Sequence, residues 1–201
     1  MHDLVVRNGV IVDGSGSAKL NGDLAINEGL VTAVGEFDGT GRREIDADGQ
    51  LVLPGWVDVH THYDGQATWD PEMSPSSWHG VTTAVFGNCG VGFAPVRRGS
   101  EEFLINLMEG VEDIPGTVLA EGIDFTWQSY PEYLDVLESM PRVMDIGSQI
   151  PHGALRFFVM GERGAVHDEV PTIDELLQFE RLVTEGFEAG ALGFSTSRTT
   201  K

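Results

Sequence analysis

Two histidines, His60 and His62, stand one residue apart directly after an apolar run in the segment LPGWVDVHTHYDG, residues 53–65. In an extended strand, side chains at positions i and i+2 point to the same face, so both imidazoles can be aimed at one point. Asp58 would share that face. Two neutral imidazoles that converge in this way are half of a typical site for Zn²⁺ or a similar divalent cation. The spacing therefore predicts metal-dependent chemistry.

Cys89 is the one cysteine of the chain, and it follows the next apolar run, VTTAVF, in the sequence GNCG. A thiol beside a metal ion loses its proton and becomes a ligand, in some sites a ligand shared by two ions. We therefore predict that Cys89 is a third metal ligand. Two other roles stay open from the residues alone: a buried small apolar side chain, or a thiol nucleophile with a histidine base.

Two further residues, Asp64 and His152, are predicted to contact substrate rather than metal. Asp64 follows the histidine pair, and His152 lies in the segment IPHGALR after the third predicted strand. Both would lie near the point at which the histidines converge. The other histidines of the chain, among them His79 and His167, are predicted to be structural or exposed.

The first 54 residues are predicted to form a small β-rich module. Its apolar segments flank three turn sequences, Asn8-Gly9, Asn27-Glu28-Gly29 and Asp48-Gly49. Asn-Gly and Asp-Gly pairs are typical of β-hairpin turns. We therefore predict three hairpins in residues 1–54.

From residue 55 to residue 201, predicted strands alternate with predicted helices. The predicted strands lie at 56–59, 81–86, 143–148 and 191–197, with a short one at 157–160, and the predicted helices at 100–110, 130–139 and 172–189. This alternation predicts a parallel sheet covered by helices. Four such strands make the first half of a (β/α)₈ barrel, in which the active site lies at the carboxyl ends of the strands. The predicted metal ligands follow the first two strands and would meet there.

Composition argues against several classes of partner. The chain has 201 residues and a formal net charge of -20, with 32 acidic and 12 basic residues. Because phosphate groups are bound by clusters of Lys and Arg, we expect binding neither to nucleic acid nor to anionic membranes. The N-terminal residues lack the pattern of a secretory signal, and a single cysteine fits a reducing compartment. We therefore expect a cytoplasmic protein.

Several motifs resemble one known family. PGWVDVHTHYDG after a β-rich start is similar to the signature of the amidohydrolase superfamily, and GVTTAVFGNCGVGFAP, IPHGALRFFVMG and GALGFSTSR resemble its D-aminoacylase (N-acyl-D-amino-acid deacylase) branch. The resemblance implies a TIM-like (β/α)₈ metal-dependent hydrolase barrel preceded by a small β-sandwich module. It also implies hydrolysis of N-acyl-D-amino acids with one or two Zn²⁺ ions, held in part by His60, His62 and Cys89.

The same resemblance implies that other parts of the site lie outside this chain. Family members take two more histidine ligands from the fifth and sixth barrel strands and a general-base aspartate from the eighth, all beyond residue 201. We therefore expect an N-terminal fragment that has no catalytic base of its own, is inactive alone and is poorly stable.

Two alternatives to this interpretation stay open. A cyclic amidase of the hydantoinase or dihydroorotase type would use a carbamylated lysine on the fourth strand, but ALGFSTS has no lysine and Lys201 lies beyond it. A non-catalytic metal-binding module that ends at residue 201 is the other alternative.

Overall fold

A computed structural model describes residues 1–197, so Lys201 lies outside the described residues. The chain divides into two compact units between Gly55 and Trp56. The first unit is a mixed five-stranded sheet. Its strands are β1 (His2–Ile11), β2 (Leu20–Asn27), β3 (Leu30–Gly35), β4 (Gly41–Asp46) and β5 (Leu51–Val52). Strand β1 pairs antiparallel with β2 and parallel with β4 and β5, and β2 pairs antiparallel with β3.

The hairpin predicted at Asn8-Gly9 is wrong, because both residues lie inside the continuous strand β1. Asn8 has a φ of 55°, and the register of β1 against β2 shifts between Val6 and Gly9. The left-handed residue forms a β-bulge in place of a turn. The Asn8 N–H, which leaves the ladder there, donates to Asp23 Oδ1 at 2.9 Å.

The hairpin predicted around Asp48-Gly49 is also wrong. β4 and β5 both pair parallel with β1, one after the other along the same edge. Asp48 and Gly49 have φ values of 47° and 74°. The loop that they form lets the chain continue in the same direction along this edge of β1, whereas a hairpin would reverse its direction. The hairpin predicted around residues 27–29 is confirmed, since β2 and β3 pair up to Asn27 and Leu30.

The second unit contains a four-stranded parallel sheet, as predicted. Its strands are β6 (Trp56–Asp58), β7 (Val81–Phe86), β8 (Asp145–Pro151) and β9 (Gly193–Ser195), in the order β6-β7-β8-β9. Each strand lies beside the next one in the sequence, which is the arrangement of the first half of a (β/α)₈ barrel. Its helices are α1 (Glu101–Glu112), α2 (Gly116–Gly122), α3 (Tyr130–Ser139), α4 (His152–Met160) and α5 (Ile173–Glu188).

The strand predicted at 157–160 is wrong, because these residues end helix α4. The helix buries Leu155 and Val159, which are four residues apart and therefore share one helical face. Phe157 stacks on Phe103 of α1 with ring centroids 3.6 Å apart. Packing against neighbouring helices therefore overrides the β propensity of two phenylalanines and a valine.

The apolar run at residues 56–59 is typical of a buried strand, but its apolar side chains, in β6 and in Val59 just after it, are largely exposed. Trp56 is 63% exposed, Val57 59% and Val59 67%. β6 is an edge strand, since it pairs with β7 on one side only in the described part of the chain. The core lies instead between the sheet and helices α1, α3 and α4. Within residues 1–197, no helix is both long enough and apolar enough to cross a membrane.

Candidate metal centre

His60, His62 and Cys89 form a cluster just beyond the carboxyl ends of β6 and β7. Each offers a ligand atom, and these atoms all lie within 4.8 Å of one another. His60 Nε2 is 3.1 Å from Cys89 Sγ, and the two imidazole ring centroids are 5.6 Å apart. The three residues that the sequence spacing singles out therefore lie together in three dimensions.

The two histidines do not lie on the strand itself, because β6 ends at Asp58. The segment that carries them is held by Thr61, which is buried between them. The backbone N–H and the hydroxyl of Thr61 both donate to Val85 O of β7, each at 2.9 Å. This contact preserves the alternation of a strand, so both imidazoles share one side. Asp58 does not join the cluster, and its carboxylate accepts the His60 N–H at 3.2 Å.

Cys89 reaches the cluster because the chain turns sharply after β7. Gly87, Cys89 and Gly90 have φ values of 74°, 53° and 76°, so three residues of this turn are left-handed. A non-glycine residue in this region is uncommon and is held there by its surroundings. Ser195 of β9 supplies part of that support: its hydroxyl donates to Gly87 O and accepts the Gly90 N–H at 3.0 Å.

Asn88 links the two segments that carry the ligands. Its side-chain amide donates to Val85 O at 2.9 Å and to Thr61 O at 3.3 Å. Its carbonyl oxygen accepts from Gln149 Nε2 of β8 at 2.7 Å. This role was not predicted from the sequence, although the position of Asn88 beside Cys89 was a usable signal.

Glu112 is a second residue that the sequence analysis missed. Its Oε1 lies 3.2 Å from His62 Nε2, although the two residues are 50 positions apart in the sequence. Its location at the end of α1 gave no sequence signal, because the fold alone brings α1 to the cluster.

Burial shifts the pKa of two residues of the cluster. It lowers the pKa of His62, an effect that Glu112 opposes. Burial also raises the pKa of the Cys89 thiol, and the negative charge of Glu112 raises it further. The lowered pKa favours the neutral form of His62, which is the form that binds a metal ion. The thiol needs a nearby positive charge, such as a metal cation, to become a thiolate.

The two residues predicted to contact substrate differ in their surroundings. Asp64 is 1% exposed, and burial raises the pKa of its carboxyl to about 8. Its side chain therefore lies within the protein, below the surface of the described residues. His152 begins α4, and its Nδ1 lies 3.0 Å from Thr196 Oγ1. Together with Cys89 and Phe103, it lines a cavity of about 220 Å³. Contact of Asp64 or His152 with substrate stays a prediction.

The cluster fits a divalent metal ion. Two imidazole nitrogens and one sulfur are the donor types that zinc prefers. In addition, His62 Nδ1 is buried and has no hydrogen-bond partner among residues 1–197. A buried polar atom without a partner is costly in a folded protein, and a missing ion is one explanation for it.

Comparison with known proteins identifies the family of this chain. Residues 43–201 match the amidohydrolase family. An uncharacterized protein of Mycobacterium tuberculosis is 38% identical over 200 residues, which are 96% of this chain and 32% of that protein. The D-aminoacylase of Alcaligenes xylosoxydans xylosoxydans is 29% identical over 197 residues, which are 96% of this chain and 37% of the enzyme.

Solved structures of two deacylases resemble this chain over nearly its whole length. A D-aminoacylase structure with a binuclear metal centre superposes with a TM-score of 0.80 at 29% identity. The superposition covers 98% of this chain and 38% of the D-aminoacylase chain. The N-acyl-D-glutamate deacylase of Bordetella bronchiseptica, complexed with zinc and a phosphonate inhibitor, superposes with a TM-score of 0.78 at 28% identity, over 97% and 38% of the two chains. The chain spans about a third of the length of the curated relatives that it matches. It belongs to the amidohydrolase family, in the D-aminoacylase branch.

Proposed function

We propose that this chain supplies part of the metal centre of a zinc-dependent hydrolase that cleaves N-acyl-D-amino acids into a D-amino acid and a carboxylate. The observation that carries the proposal is the convergence of His60, His62 and Cys89 to within 4.8 Å at the carboxyl edge of a parallel sheet. The relatives named as D-aminoacylase and N-acyl-D-glutamate deacylase, the latter solved with zinc, support the substrate class and the metal.

Each residue of the cluster has a defined task in this proposal. His60 and His62 offer nitrogen lone pairs, and Cys89 offers a thiolate once a cation is bound. Zinc, when bound, supplies Lewis-acid chemistry for amide hydrolysis. We propose that the remaining ligands and a carboxylate base come from outside residues 1–201, so that residues 1–201 alone do not hydrolyse substrate.

A second candidate function is favoured by one specific distance. His60 Nε2 lies 3.1 Å from Cys89 Sγ, which is also the geometry of a thiol nucleophile and its histidine base. The pKa of Cys89 counts against it, because burial raises that pKa whereas thiol nucleophiles are activated by a lowered one. A metal-free thiol hydrolase would keep its activity after complete removal of metal.

The test uses the protein expressed to its natural stop codon. Metal content is measured by mass spectrometry, together with hydrolysis of N-acetyl-D-methionine and of its L enantiomer. We expect bound zinc and D-selective hydrolysis in the wild type, and the loss of both in Cys89→Ala and His60→Asn. His79→Asn is the matched control, since His79 is exposed and lies outside the cluster.

Three results would contradict the proposal. They are a wild type without metal, full activity after chelation, and equal effects of the His60 and His79 substitutions. Activity that survives chelation but is lost on alkylation would support the thiol mechanism instead.

A further inference from the structure

Glu112 occupies a position that does not favour the helix to which it belongs. It is the last residue of α1, and the last turn of that helix contains no basic residue. The carboxyl end of a helix carries a partial negative charge, so a carboxylate there is unfavourable. Helix stability therefore does not explain this residue.

The carboxylate of Glu112 contacts His62 in a partly shielded environment. The side chains of His62 and Glu112 are 13% and 26% exposed, and Oε1 lies 3.2 Å from Nε2. The other ring nitrogen of His62 has no partner among residues 1–197. Within that part of the chain, Glu112 is therefore the one acidic residue in ion-pair distance of the His62 ring.

We propose that Glu112 is a positioning residue of the metal centre, which acts through the His62 ring to strengthen binding of a divalent cation. This inference rests on the proposed function, since it assumes that the cluster binds metal. A carboxylate that accepts from a ligating histidine fixes the ring and makes it a more basic ligand. Loss of such a partner lowers metal affinity by about 10- to 100-fold.

The test compares Glu112→Ala with Glu109→Ala in the protein expressed to its natural stop codon. Glu109 lies one turn earlier on the same helix, and its carboxylate accepts the Gly116 N–H at 3.0 Å instead of contacting the cluster. Alanine is the best helix former, so both variants keep α1. The dissociation constant for Zn²⁺ is measured by competition with a chromophoric chelator.

We expect Glu112→Ala to raise the dissociation constant by about 10- to 100-fold and Glu109→Ala to change it less than about twofold. We also expect the urea midpoint of Glu112→Ala to equal or exceed that of the wild type, because the substitution removes a carboxylate from the end of a helix. A purely structural role would give the opposite result, a lower midpoint with unchanged affinity.

A His62→Asn background shows whether Glu112 acts through the ring. In the His62→Asn variant, adding Glu112→Ala is expected to leave the dissociation constant for Zn²⁺ unchanged. An equal loss in both backgrounds would overturn the inference, as would a structure of the zinc-loaded protein with a Glu112 oxygen bonded to the ion. A wild type that binds no zinc contradicts both proposals, whereas zinc binding that is unchanged in Glu112→Ala contradicts only this one.

Discussion

The turn that carries Cys89 depends on a glycine at position 87. Gly87 has a φ of 74°, and a Cβ at this position would overlap the backbone carbonyl oxygen of Gln149 and lie 3.0 Å from the Gln149 backbone nitrogen. These atoms belong to strand β8 and cannot move aside as a flexible side chain would. Gly99 provides a control, since its φ is 82° but nothing lies within 4 Å of its Cβ position.

The two positions separate the cost of a left-handed backbone from the cost of overlap. An alanine in the left-handed region costs about 1–2 kcal/mol at either position. Overpacking against fixed atoms adds about 1–3 kcal/mol at Gly87 alone. We therefore expect Gly99→Ala to lower the free energy of unfolding by about 1 kcal/mol and Gly87→Ala to lower it by about 3 kcal/mol.

Urea denaturation measures these differences, and zinc content measures the consequence for the cluster. Gly87→Ala is expected to lose zinc because Cys89 is displaced, whereas Gly99→Ala keeps it. Equal destabilisation by the two substitutions, to within about 0.5 kcal/mol, would refute the steric reasoning. Full zinc occupancy in Gly87→Ala would refute the link between this turn and the metal site.

Three further substitutions test the packing, the capping and the charges of the fold. Trp127→Phe removes the indole N–H that donates to the buried Phe93 O at 2.8 Å, and should cost about 1–3 kcal/mol in urea unfolding; a loss under about 0.5 kcal/mol would contradict this. Thr172→Ala removes the N-cap of α5 and should cost about 1 kcal/mol by the same assay, so an unchanged midpoint would exclude a stabilising cap. Arg7 holds the pKa of Asp23 below its usual value, so the Arg7–Asp23 pair stabilises the folded state at neutral pH. This stabilisation is lost as the pH falls through the lowered pKa of Asp23. In Arg7→Gln, NMR titration should therefore show a higher pKa for Asp23, and an unchanged pKa would refute the pairing.

The sequence identified the three residues of the candidate metal cluster because local signals in the second unit agreed with the fold. The spacing of His60 and His62 and the position of Cys89 after an apolar run depend only on strand geometry and on the order of strand and helix. The same local order predicted the parallel sheet, and a capping box marked the start of α5. Each of these features is encoded within a few neighbouring residues.

Local signals failed where a tertiary contact chose between two structures that the same residues allow. Asn8-Gly9 is compatible with a turn or with a bulge, and pairing of β1 with strands on both sides selected the bulge. Phe157 suits a strand, but packing on Phe103 placed it in a helix.

The support of the metal cluster was likewise decided by tertiary structure alone. Glu112 lies 50 positions from His62, the candidate ligand that it contacts, and Ser195 lies 106 positions from Cys89, whose turn it supports. No periodicity or motif links residues so far apart. The sequence by itself therefore determined which residues are the candidate metal ligands, whereas the packing of α1 and β9 around them decided which residues surround and support them.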